Sequence, residues 1–264
     1  MPVSLIQHHA STSETLYEPF SVKHHITLPL LVFLLVASLF EYFQFDLDIA
    51  QYIFDWQGGL TYWPLKTQWF TSTIMHTGGR DLVILLGVLL FTALGLSFKI
   101  QYLNQYSRNL FCLAMSVVSS ILIVKFAKDF THVNCPWDLT RFGGHVAYTA
   151  IFSPLPAGTE LGRCFPGGHS SGGYAWVALY YFALQVNPKY RWAGLAFGVT
   201  LGLSFSITQQ LRGAHFFSHG IWSLAISWFV ASGYYYLLFA SKRSGKNALV
   251  MESNKKALNK PSAV

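Results

Sequence analysis

Residues 109–127, NLFCLAMSVVSSILIVKFA, form an apolar run that stops at Lys128. A hydrocarbon layer about 30 Å thick takes about 20 residues of helix to cross, so the run has the length of a membrane span and Lys128 stands at its edge. Runs of similar length recur near 26–44, 82–98, 170–186, 192–211 and 220–240. Composition agrees with this reading. Of 264 residues, 52% are hydrophobic and 11% charged, whereas soluble domains carry about 25% charged residues. The expected fold class is all-α, a membrane bundle of six transmembrane helices over 26–240. A polar segment, 1–25, precedes it, and a Lys-, Ser- and Asn-rich tail, 241–264, follows. Such a tail is expected to be disordered beside anionic headgroups. The first 25 residues lack a cleavable signal pattern, so the first span is expected to serve as an anchor.

Basic residues set the orientation. With both termini inside, eleven of the eighteen Lys and Arg fall on the inner side, six of them in the tail. Of the seven outer ones, Lys125, Lys128, Arg141, Arg163 and Arg212 lie in or near three short stretches, 128–136, 166–169 and 209–219. Cations gathered on an otherwise depleted membrane face point to an anionic client, and phosphate is the expected one. No soluble basic face exists for a nucleic acid. Residues 45–80 carry Trp56, Trp63 and Trp69 around Gly58-Gly59, which suits short helices in the headgroup layer and suggests no catalytic group.

Each stretch has a chemical reading. Gly167 and Gly168, just before a span, let the backbone turn and approach a ligand, and the N–H groups of the helix start suit an anion. His169 would stand beside that anion as a proton donor. His215 and His219 share a helical face one turn apart. That spacing suits a nucleophile steadied by its neighbour, a metal pair, or two interfacial histidines. No Glu follows His215 as in a zinc-hydrolase helix, and no metal is expected. Cys112 reads as a buried apolar residue. Cys135 and Cys164 share the outer loop; in an oxidising compartment they would pair and clamp the first two stretches, and otherwise they would stay buried thiols.

Taken together, the stretches resemble the type 2 phosphatidic acid phosphatase (PAP2) superfamily of integral membrane phosphatases. Its pattern is K-x6-R-P, P-S-G-H and S-R-x5-H-x3-D. This chain has Lys128-x6-Cys135-Pro136, Pro166-Gly167-Gly168-His169 and Gln209-x5-His215-x3-His219, in the same order, within residues 80–240. The resemblance implies that His215 takes the phosphoryl group as a phosphohistidine and that His169 protonates the leaving oxygen. Lys128 would neutralise phosphate, and no cofactor would be required. Cys135 and Gln209 replace the family's two arginines, so Arg212, Arg141 and Arg163 are the candidates to grip phosphate. A neutral His219 can accept from the His215 ring as the family's Asp does, and a protonated one cannot, so the acid fall in activity should be steeper than with Asp. The expectation is a phosphatase acting on a lipid phosphate or diphosphate at the outer leaflet of a bacterial inner membrane, its site facing the periplasm or cell exterior. A silent lipid-binding scaffold and a phosphotransferase between lipids are the alternatives.

Overall fold

The computed structural model describes residues 20–151, 153, 158 and 160–241. Residues 1–19 of the expected polar segment and 242–264 of the expected basic tail lie outside the described residues.

Among the described residues, four helices are long and apolar enough to cross a membrane. The first, Lys23–Phe43, contains α1 (Leu28–Phe43), which has no buried residue. Its Leu31 and Leu35 are about 60% exposed, a surface that only lipid would cover comfortably. Gln44, at φ 56°, separates it from α2 (Phe45–Trp56). That amphipathic helix turns Asp46, Ala50 and Phe54 inward. The second span, Phe70–Ser97, contains α3 (Gly79–Ser97) and starts well before the expected residue 82. Thr71 and His76 lower the hydropathy of its first turns, but they face protein: Thr71 Oγ1 donates to the Leu65 carbonyl at 2.5 Å. Short α4 (Gln101–Asn104) leads to α5 (Ser107–Thr131) in the third span.

The expected spans 170–186 and 192–211 are helical but differ in kind. Helix α6 (Gly168–Tyr174), a tight turn at Ala175–Ala178 and α7 (Leu179–Val186) form one run, and α8 (Arg191–Leu211) packs on all three. Small and polar residues take the place of leucine there, because the backbones touch. A Cβ on Gly173 would lie 2.5 Å from the Gly202 nitrogen, and one on Gly198 would lie 2.3 Å from the Val177 nitrogen. The fourth span, Phe217–Ala240, begins with α9 (Phe217–Tyr235), packed on α5 and α6. Its buried Ser223, Ser227 and Ser232 each donate to the carbonyl four residues earlier at 2.8–2.9 Å. A hydroxyl buried in an apolar bundle is satisfied that way without a water.

Two cores hold the bundle. One joins Leu113, Trp176, Tyr181, Leu184 and Tyr235. The other caps the opposite end, where Phe54, Trp63, Leu139, Phe142 and Phe216 bury their rings and side chains together. Trp63, expected at the headgroups, is only 3% exposed. Burying a side chain of this kind contributes about 2–3 kcal/mol, and it ties the segment before α3 to the loop after α5.

Candidate functional site

The site assembles under this cap. Helix α5 carries Lys128 in its last turn and ends where His132 adopts φ 51°. The chain then meets residues 162–165, which return alongside it: Cys164 N donates to the Val133 carbonyl at 2.9 Å, and Thr131 Oγ1 to the Phe165 carbonyl at 2.6 Å. Of the two cysteine states that the sequence left open, the bonded one is present, joining Cys135 to Cys164. The disulfide therefore clamps the first stretch to the second. Lys128 Nζ donates to the Arg163 carbonyl at 3.2 Å. It also lies against Gly168, where an added Cβ would come within 3.1 Å of the ammonium. A side chain there would press Lys128 away from the helix start.

Backbone contacts stitch the second stretch to the third. Gly167 N donates to the His219 carbonyl at 3.1 Å, and Ser223 Oγ donates to the Gly167 carbonyl at 2.9 Å. His169 Nε2 lies 3.2 Å from the Met75 carbonyl. A carbonyl can only accept, so the His169 proton sits on Nε2. After α8, Gly213 at φ 68° reverses the chain, and its missing side chain leaves room for the Trp63 ring. The reversal sets Arg212 on one side and His215 on the other. His215 Nδ1 and His219 Nδ1 are 3.2 Å apart. Arg212 donates from Nη1 to Gln209 Oε1 and from Nε to the Lys66 carbonyl, both at 3.1 Å.

Electrostatics follow from this packing. Burial holds His215 well below the ordinary histidine range, with Lys128, His219 and His169 adding to the effect and the Cys164 carbonyl opposing it. Although part of its surface is exposed, enough protein surrounds the ring for desolvation to lead. Arg212 is lowered by burial but keeps its charge.

Lys128, Gly167, Gly168, His169, His215 and His219 thus meet, with Arg212 beside them. Arg141 and Arg163 are not brought to this cluster. Arg141 Nε donates to Gln51 at 2.8 Å, and the exposed Arg163 side chain pairs with Asp129 at 3.4 Å. One residue of the segment read as non-catalytic does reach the site, and a second anchors the helix start next to it. The His76 ring lies 4.7 Å from that of His169, with its Nδ1 2.8 Å from Gln209 Nε2. Asp46 accepts from Ser218 N at 2.9 Å and from Ser218 Oγ, at the start of α9. Burial raises Asp46 to about 6. His76 and Arg80 stand one helical turn apart near the start of a span, which was the available signal for the first. Nothing local marks the second.

The comparisons with known proteins agree with this geometry. No curated protein matches. The fold is similar to the crystal structure of a transmembrane PAP2-type phosphatidylglycerolphosphate phosphatase from Bacillus subtilis, with 16% identity and a TM-score of 0.50 over 80% of this chain and 96% of that one. The family model described as the PAP2 superfamily matches residues 109–243, which run from α5 past the end of α9 and hold all three stretches. On that match, covering just over half of the sequence, the chain belongs to the PAP2 superfamily.

Proposed function

We propose that this protein hydrolyses a lipid phosphate or diphosphate through a phosphohistidine on His215. The observation that carries the reading is the meeting of Lys128, His169, His215 and His219, from three separate stretches, at one end of an apolar bundle. With its proton on Nδ1, toward His219 Nδ1, His215 has its Nε2 lone pair for in-line attack on phosphorus. As the N–P bond forms, the P–O bond to the lipid oxygen breaks. Because Met75 holds the Nε2–H of His169, the proton given to that oxygen is the one on Nδ1 of its imidazolium. Water then attacks the phosphohistidine, the N–P bond breaks, inorganic phosphate leaves, and the proton of water returns to His169. Lys128 and Arg212 balance the charge on the equatorial oxygens. No step calls for a metal or a cofactor.

An amphiphile suits this position. A groove of about 670 Å³ lies between Ala127 and Phe130 of α5 and Trp222 and Ile226 of α9. It reaches Phe165, whose ring is 5.2 Å from that of His219. Lipid chains can rest there while the headgroup enters the polar cluster. In this reading α6–α7 and α8 complete six spans, both termini lie inside, and the site opens on the outer leaflet of a bacterial inner membrane.

The test is phosphate release by the purified protein in detergent from phosphatidate, phosphatidylglycerol phosphate, an isoprenyl diphosphate and phosphorylated lipid A, with His215→Ala as control. Release from at least one, lost by about a thousandfold or more in the control, and an acid-labile phosphoryl group on His215 are expected. Lipid binding without release would favour the scaffold, and a phosphorylated lipid acceptor in place of free phosphate would favour transfer.

A further inference from the structure

His76 lies upstream of the segment matched by the family and outside the three stretches. Its surroundings nevertheless dictate its protonation pattern. Arg212 only donates, so the Gln209 oxygen must face it, at 3.1 Å. Gln209, 2% exposed, has no freedom to turn. Its amide N–H therefore faces His76 Nδ1 at 2.8 Å, and Nδ1 must accept. The His76 proton is left on Nε2 of a ring that is partly exposed. The ring lies 4.7 Å from His169 at an angle of 43°, and the Met75 carbonyl next to it in sequence fixes the His169 tautomer. Consecutive residues of one helix, Met75 and His76, thus orient one imidazole and present a second at the edge of the site.

We propose that His76 is a further ligand for the bound headgroup, donating its Nε2–H to a phosphate oxygen on the His169 side. This rests on the phosphate-binding reading above. A guanidinium at position 209, as the family pattern has, would bring its own N–H groups to the oxyanion. Here a chain of three residues, Arg212 to Gln209 to His76, delivers one N–H from a neighbouring helix instead. The charge of Arg212 also lies behind that donor and polarises it.

The experiment measures binding of inorganic phosphate to the full-length protein in detergent by calorimetry, so it does not depend on turnover. His76→Phe keeps ring volume but removes donor and acceptor; about tenfold weaker binding is expected, the loss of one hydrogen bond to a charged group. His76→Asn keeps both functions and is expected to bind within about threefold of the parent. If Phe binds like the parent, or if Asn is weakened and Phe is not, the ring serves packing alone and the proposal falls. A double-mutant cycle gives a second readout should His76→Phe fold poorly. Gln209→Leu cuts the link from Arg212 to His76 and should weaken phosphate binding in the parent but add little in a His76→Ala background; additive losses would overturn the chain of donors. Phosphate binding with these differences but no release from any lipid would sink the hydrolase reading and leave His76 a ligand.

Discussion

Replacing His219 by Asp puts a carboxylate where a neutral ring now meets His215. The present Nδ1–Nδ1 contact of 3.2 Å requires one nitrogen to accept, so the pair works only while at least one ring is neutral. Burial already disfavours the imidazolium of His215, and the neutral ring therefore persists well below the usual histidine range. A carboxylate about 4 Å away would favour the cation by about 4 kcal/mol at an effective dielectric of 20. That equals about 3 pK units, and the desolvation of the carboxylate itself cuts it to about 1–3. Since attack needs the neutral ring, the acid limb of kcat/KM should move up in pH by that amount. It should also become shallower, because protonation of His219 no longer contributes a second loss. The assay is a pH profile with a detergent-dispersed lipid phosphate, using His219→Asn as an uncharged control that leaves the limb within about half a unit. Coincident limbs in the parent and a folded His219→Asp protein would refute the pairing of these rings.

Three other outcomes follow from the packing. Asp46 has its carboxyl raised from 3.8 to about 6 by burial, so its folded form holds a proton that the unfolded chain releases; the stability it gives is full below about pH 4 and lost as pH rises through about 6. Asp46→Asn should therefore gain on the parent by about 3 kcal/mol between those limits, read as thermal midpoints in one detergent, whereas a constant difference would contradict it. Gly213→Ala must place a Cβ 2.3 Å from the Trp63 ring at φ 68°; a loss of about 2–4 kcal/mol is expected, along with most activity, and a parent-like midpoint would show that the turn is soft. Breaking Cys135–Cys164, which closes a loop with a separation of 29 residues, should cost about 3–4 kcal/mol. Mass spectrometry of the unreduced protein should show both thiols blocked and Cys112 free.

The sequence carries the long apolar helices well, since α1, α5 and α9 are read directly from hydropathy. It misplaces the start of the second span, because Thr71 and His76 look like loop residues until a protein face is there to satisfy them. The same property hides His76 as a candidate. Lys128, His169, His215 and His219 were visible because a fixed spacing marks them, and their meeting depends only on helix ends. Arg141 and Arg163 were chosen by nearness in sequence. A 3₁₀ turn at Thr140–Phe142 instead sends Arg141 to α2, and Asp129 draws Arg163 outward. Asp46 was illegible for a simpler reason: its partner Ser218 is 172 residues away.

The backbone contacts between α8 and the run from α6 to α7 bear on how the protein is made. A helix that exchanges leucine for glycine and serine to fit a neighbour has little drive to leave the translocation channel for lipid by itself. The two are joined by the short Asn187–Tyr190 turn, so under the proposed six-span reading the natural unit of insertion is the hairpin, partitioning once its facing surfaces have closed. Biogenesis would then order the assembly. The histidines of the three stretches would come together only once this hairpin has docked against α5 and α9.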